Sequence, residues 1–128
     1  MSETLQRLGL LAVTGAIGTL ARYWLGGLVY RVCGTGFPWG TFTVNVLGCF
    51  LFGVVWVLAE ERLLIKGETR FVILTGFMGA FTTFSTFAFE THQLVRDSEW
   101  LLAAGNVIGQ VALGFLGLFV GIALGRLF

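Results

Sequence analysis

The chain has 128 residues, 56% of them hydrophobic and 12% charged, with a formal net charge of +1 and a mean hydropathy of +0.89. That balance is too apolar for an ordinary soluble domain, and a near-neutral chain without a basic run lacks the electrostatic footprint of a nucleic-acid binder. The sequence has no glycine loop ending in Lys-Ser or Lys-Thr, no paired histidines and no Cys-x-x-Cys, which sets aside nucleotide, zinc-type and dithiol chemistry.

The charges are segregated. None falls between Val32 and Ala59, between Phe71 and Phe89, or between Trp100 and Gly125; each run matches the roughly 20 residues that cross a bilayer. With a first apolar stretch interrupted only by Arg22, they predict an all-α membrane protein. Its four transmembrane helices lie at about 8–29, 40–60, 70–92 and 100–124, in a single domain over residues 1–128.

The first helix follows Arg7, as the apolar part of a signal peptide would. It is long, has no small-residue cleavage pattern and precedes three further spans, so it is read as a retained helix. Arg22 costs roughly 2.5–3.5 kcal/mol at a helix centre and less where it snorkels. Near its helix end it is read either as an ordinary snorkelling arginine or as facing an aqueous mouth, where it would raise the local anion concentration.

The second helix opens with GTFTVNVLG at residues 40–48. A mid-span asparagine needs partners that its own helix cannot easily supply, and Thr41, four residues before Asn45, shares its face. Asn45 is therefore read as lining a pathway or a subunit contact. Cys33 in a loop and Cys49 in this helix are read as packing residues.

The third helix contains TGFMGAFTTFSTF at residues 75–87. Gly76 and Gly79 weaken the helix, and the hydroxyls of Thr82, Thr83, Ser85 and Thr86 compete for backbone groups. A break at membrane depth is tolerated only where it is buried in protein or lines a cavity, and its freed carbonyls suit a cation. Phe84 and Phe87 share a face; ordinary core packing is the first reading of such a pair, and positive ring edges that favour an anion without a formal charge are the other. His92, the only histidine, is read as an interfacial residue.

The fourth helix carries Asn106 and Gln110 four apart, a second polar stripe. Two uncharged, donor-bearing stripes suggest a conduit for a small ion or polar solute. Gly105 and Gly109, then Gly117, Gly121 and Gly125, form small-residue stripes on which another helix can pack, inside one subunit or between two. Four spans place both termini on one side with Arg7, Arg62, Lys66, Arg70 and Arg126, against Arg22, Arg31 and Arg96 on the other. Five against three is a weak bias, so insertion in both orientations is open, and an antiparallel pair would supply eight helices.

GFMGAFTTFSTF at 76–87, GTFTVNVLG at 40–48 and GTLAR at 18–22 together closely resemble the fluoride channel family called Fluc or CrcB, colinearly across all four helices. The resemblance implies a fluoride-selective passive channel, not an enzyme. It implies a dual-topology homodimer of antiparallel subunits with two pores, in the inner membrane of a bacterium, exporting fluoride. It places Phe84, Phe87 and Asn45 in the pore, Ser85 and Thr86 in its wall, Thr41, Glu90, Asn106 and Gln110 along a polar track, and Arg22 at the vestibule. It also implies a structural sodium ion held at the dimer centre by backbone carbonyls of Gly79 and Thr82. The sequence departs from the family pattern at Ala80, where a second glycine is usual, and at Asn106 and Gln110, amides where small hydroxyl residues are common. The rival reading is a small multidrug transporter exchanging protons at Glu90, although the mid-first-helix glutamate of such proteins is absent.

Overall fold

The computed structural model describes residues 1–128. Its elements are α1 (Ser2–Cys33), α2 (Trp39–Glu60), α3 (Gly67–Phe71), a π-helical stretch (Val72–Met78), α4 (Gly79–Phe81), α5 (Phe84–Arg96) and α6 (Trp100–Gly125). Four stretches are long and apolar enough to cross a membrane: Ser2–Cys33, Trp39–Glu60, Gly67–Arg96 and Trp100–Gly125. The protein is a multi-pass, all-helical membrane protein. α1 runs beyond the expected 8–29 at both ends; its 32 residues, at the α-helical rise, span about 48 Å, more than the hydrocarbon thickness of a bilayer.

Large apolar side chains face outward on every span, among them Leu20 and Trp24 on α1, Trp56 on α2 and Phe115 and Phe119 on α6. In water this would drive aggregation, whereas in lipid the surrounding tails are as apolar as the side chains, and close backbone approach holds the helices together instead. α2 and α6 form the most extensive helix pair. A Cβ on Gly53 would fall on the Leu118 carbonyl, and one on Gly121 would fall on the Phe50 carbonyl. Gly117 and Gly125 face Val46 and Val57 in the same seam. The stripe Gly117–Gly121–Gly125 therefore packs within the subunit, while Gly105 faces open space.

α1 packs against the π-helical stretch, where Gly18 abuts the Phe77 carbonyl and Gly76 abuts the Thr14 hydroxyl. At the end that holds both termini, side-chain ion pairs join the spans: Arg7 to Glu68 at 3.2 Å, Arg70 to Glu60, and Arg126 to Glu61 at 2.8 Å.

Within the third candidate span, Thr82 (φ −87°, ψ 160°) and Thr83 (φ −152°, ψ 111°) are extended. Local chemistry favours this. The Thr82 hydroxyl donates to the Met78 carbonyl, and Thr83 caps α5 by accepting from the Thr86 N–H at 3.2 Å, a satisfied helix N-terminus. Gly48 on α2 leaves room for the Thr82 methyl, which a side chain there would strike.

Candidate functional site

The extended residues are held from α2. Asn45 Oδ1 accepts from the Thr83 N–H at 2.8 Å, and Asn45 Nδ2 donates to the Thr83 carbonyl at 3.0 Å. One side-chain amide thus satisfies both backbone groups of a residue that no helix ladder serves, as a backbone buried away from water requires. The second Nδ2 proton goes to Gln110 Oε1 at 2.8 Å, so every N–H of Asn45 is committed within the subunit.

From Gln110 the bonding continues along α6. Gln110 Nε2 donates to Asn106 Oδ1 at 2.9 Å, and Asn106 Nδ2 donates to the Thr91 hydroxyl at 2.9 Å. Thr91 in turn donates to the Phe87 carbonyl at 2.8 Å. Asn106 is fully buried and Gln110 nearly so.

A second polar cluster lies nearer the end that carries Arg22. Glu90 Oε1 accepts from the Thr41 hydroxyl at 2.9 Å and from the Tyr30 hydroxyl at 3.1 Å. Its Oε2 is buried without a hydrogen-bond partner inside the subunit. Gly40, at the head of GTFTVNVLG, admits the Tyr30 ring, which a Cβ would strike. The two glycines that bound this motif therefore have one role each: Gly40 makes room for Tyr30, and Gly48 for Thr82.

Two grooves meet at Thr83. One, of about 320 Å³, is lined by Arg22, Tyr30, Thr41, Thr83, Thr86 and Glu90 with the small residues Gly26, Gly27 and Gly40. The other, of about 480 Å³, is lined by Asn45, Gly79, Thr82, Thr83, Phe84, Phe87 and Gln110 among apolar residues of α2 and α6. The Phe84 and Phe87 rings stand 5.5 Å apart, tilted by 55°. Phe84 is 78% exposed on the single chain, and Ser85 and Gly79 are also exposed. The Thr83 hydroxyl donates to Thr86 Oγ1 at 2.9 Å and lies 3.4 Å from Ser85 Oγ.

The structure thus gathers the expected site residues into one continuous region. Thr41, Thr86, Glu90 and Arg22 fall around the smaller groove; Asn45, Gln110, Phe84, Phe87, Gly79 and Thr82 fall around the larger one. Ser85 is exposed, 3.4 Å from the Thr83 hydroxyl, and lines neither groove, and Asn106 lies in the packed interior. His92 is exposed on α5 and takes no part. Tyr30 and Thr91 join the site without having been expected in it, and Thr83, marked only as one of the hydroxyls at the break, lies at its centre. Thr83 had a local signal, a threonine preceding a helical run with another hydroxyl three residues on; Tyr30 is 60 residues from Glu90 and had none.

The family model described as CrcB-like protein, Camphor Resistance (CrcB), matches residues 9–122. A protein of Nitrosococcus oceani named fluoride-specific ion channel FluC is 63% identical over 122 residues, 95% of this chain and 98% of its own. One of the same name from Solidesulfovibrio magneticus is 60% identical over 123 residues, covering 96% and 98%. Another, from Geobacter sulfurreducens, is 47% identical over 116 residues, covering 91% and 94%.

Proposed function

The chain belongs to the CrcB-like protein family, and on that premise we propose that it is a passive, fluoride-selective ion channel exporting fluoride across the inner membrane of a bacterium. The family is one of ion channels and not of enzymes. The observation that carries the reading is that two grooves share Thr83, one lined by Arg22, Glu90 and threonines and one bounded by the Phe84–Phe87 pair.

Fluoride holds its water strongly, so a selective path must replace that shell with close donors without binding too tightly for release. The hydroxyls of Thr86 and Ser85 can supply such donors, whereas those of Thr41 and Thr83 are given to Glu90 and Thr86. The first turn of α5 adds backbone N–H groups that a helix start leaves free, and its dipole favours negative charge. Asn45 contributes to the wall by holding Thr83, and the tilted phenylalanine rings offer their positive edges. Arg22, half-buried beside the polar groove and in no salt bridge, concentrates anions at its mouth. Glu90, engaged by Tyr30 and Thr41, ends the track on that side. The negative cell interior then drives fluoride outward.

The working unit in this reading is an antiparallel, dual-topology homodimer with two pores. The larger groove is open on the single chain, and Phe84 projects from it; a second copy would complete its wall. A third helix broken at Thr82–Thr83 also frees the carbonyl of Gly79. In a continuous helix that carbonyl would accept from the Thr83 N–H, which here is given to Asn45. The freed Gly79 carbonyl and that of the extended Thr82, repeated in two subunits, would suit an oxygen-coordinated sodium ion at the dimer centre. The drug-transporter alternative loses its ground with family membership, and Glu90 remains bonded to Thr41 and Tyr30.

Efflux from liposomes carrying the purified protein, with fluoride and chloride read by separate electrodes and potassium ionophore present, tests the channel. Rapid fluoride loss with negligible chloride release is expected; absence of fluoride loss from folded protein overturns the reading.

A further inference from the structure

The amides of α6 form part of an oriented chain of hydrogen bonds. It begins at the Thr83 N–H, which can only donate, and passes through Asn45, Gln110, Asn106 and Thr91. It ends at the Phe87 carbonyl, which can only accept. Because the chain starts at a backbone N–H that can only donate, every amide along it has one permitted orientation; turning any of them sets donor against donor on its Thr83 side. The two backbone ends bracket the first turn of α5, the turn that carries Phe84 and Phe87. Asn106, at 0% exposure, is screened from water, and Gln110, at 8%, reaches the larger groove with little of its surface, so little solvent competes for their bonds.

We propose that Gln110 and Asn106 are positioning residues, whose oriented amide relay from Asn45 to Thr91 fixes the first turn of α5 and the extended Thr83, rather than groups that meet a permeating ion. Gln110 is asymmetric in this role. Its oxygen serves Asn45, which holds Thr83, and its nitrogen serves Asn106, which leads to Phe87. The effect on conduction rests on the channel reading; the effect on Thr83 does not.

The test uses the full chain in lipid bilayers, with amide hydrogen exchange at Thr83 and fluoride efflux measured together. Gln110→Met fills the same volume without an acceptor. Exchange of the Thr83 N–H is then expected to quicken about tenfold, with fluoride efflux lost and mid-α2 amides still protected. Gln110→Glu keeps an acceptor for Asn45 but offers Asn106 no proton when ionised. It is expected to quicken Thr83 exchange less than Gln110→Met does, because Asn45 keeps its acceptor, while efflux falls, a separation that space-filling alone would not produce. Thr91→Val, close to isosteric, serves if the methionine variant fails to fold. It removes the relay's terminus without touching Thr83, yet is expected to quicken Thr83 exchange. Wild-type Thr83 exchange in Gln110→Met, or in Thr91→Val where the former does not fold, overturns the proposal, even if efflux is lost, since that pattern marks direct contact with the ion. Absence of efflux from the wild-type protein overturns the channel reading and leaves the exchange measurement to judge the relay.

Discussion

Asn45 holds Thr83 by both ends of one residue, accepting from its N–H at 2.8 Å and donating to its carbonyl at 3.0 Å. A side chain on α2 thereby takes the place of a helix ladder for a residue in the third span. Asn45→Asp keeps the size and the acceptor but, when ionised, donates to neither the Thr83 carbonyl nor Gln110. Losing two buried hydrogen bonds is expected to lower stability by about 2–4 kcal/mol and to reduce fluoride efflux sharply. Thermal unfolding in detergent and electrode-monitored efflux read the two effects. Wild-type behaviour in both assays would mean that the grip on Thr83 is dispensable.

Phe84 is 78% exposed on the single chain, and its ring lies 5.5 Å from that of Phe87. Because so little of Phe84 is buried within the subunit, Phe84→Ile should leave the fold intact. Both Phe84→Ile and Phe87→Ile are expected to reduce fluoride efflux to the rate of protein-free liposomes while the assembly elutes unchanged on size exclusion. Unaltered efflux in both variants would remove the rings from the path.

The α2–α6 seam predicts a contrast between glycines of one helix. A side chain at Gly121 would collide with the Phe50 carbonyl, whereas Gly105 faces open space. Gly121→Leu is expected to destabilise the protein by about 3 kcal/mol. Gly105→Ala is expected to be neutral or to stabilise by up to about 1 kcal/mol through helix propensity. Melting temperatures of the two variants check this, and equal effects would show that the seam is not the tight contact.

Outside the membrane, the Glu61 carboxyl is held below the usual carboxylate range, chiefly by its hydrogen bonds from Arg126. A carboxyl whose folded pKa is depressed contributes stability above its unfolded value of about 4.3, and that contribution disappears as pH falls through the folded value. Glu61→Gln is therefore expected to lower the melting temperature slightly at neutral pH and to match wild type once both states are protonated. As the pair is exposed, added salt should shrink the neutral-pH difference. A difference that persists in acid would point to packing instead of charge.

Thorough removal of sodium from both faces is expected to abolish fluoride efflux, with restoration by sodium but not by a large organic cation. The freed Gly79 carbonyl and the extended Thr82 motivate this expectation. Full activity with only an organic cation present would argue against the sodium site.

The sequence alone determined the solvent and the number of crossings. Charge-free runs bounded by Arg31 and Glu60, by Arg70 and Glu90, and by Glu99 and Arg126 can only be accommodated as spans, because lipid offers a backbone no hydrogen bonds. It also marked Asn45 and the Thr82–Thr86 hydroxyls, since uncharged polar groups at that depth need partners. It did not say who those partners are. That Asn45 would spend every N–H inside the subunit, that Gln110 and Asn106 would link it to Phe87, and that Tyr30 would reach Glu90 depend on residues tens of positions apart. The glycines repeat the lesson: spacing announced a close-packing face on α6, but only the crossing of α6 with α2 turned Gly117, Gly121 and Gly125 inward and left Gly105 open. Periodicity fixes which side chains share a helix face, whereas tertiary packing selects what that face meets, because hydrogen bonds and backbone contacts act over a few ångströms that chain spacing cannot specify.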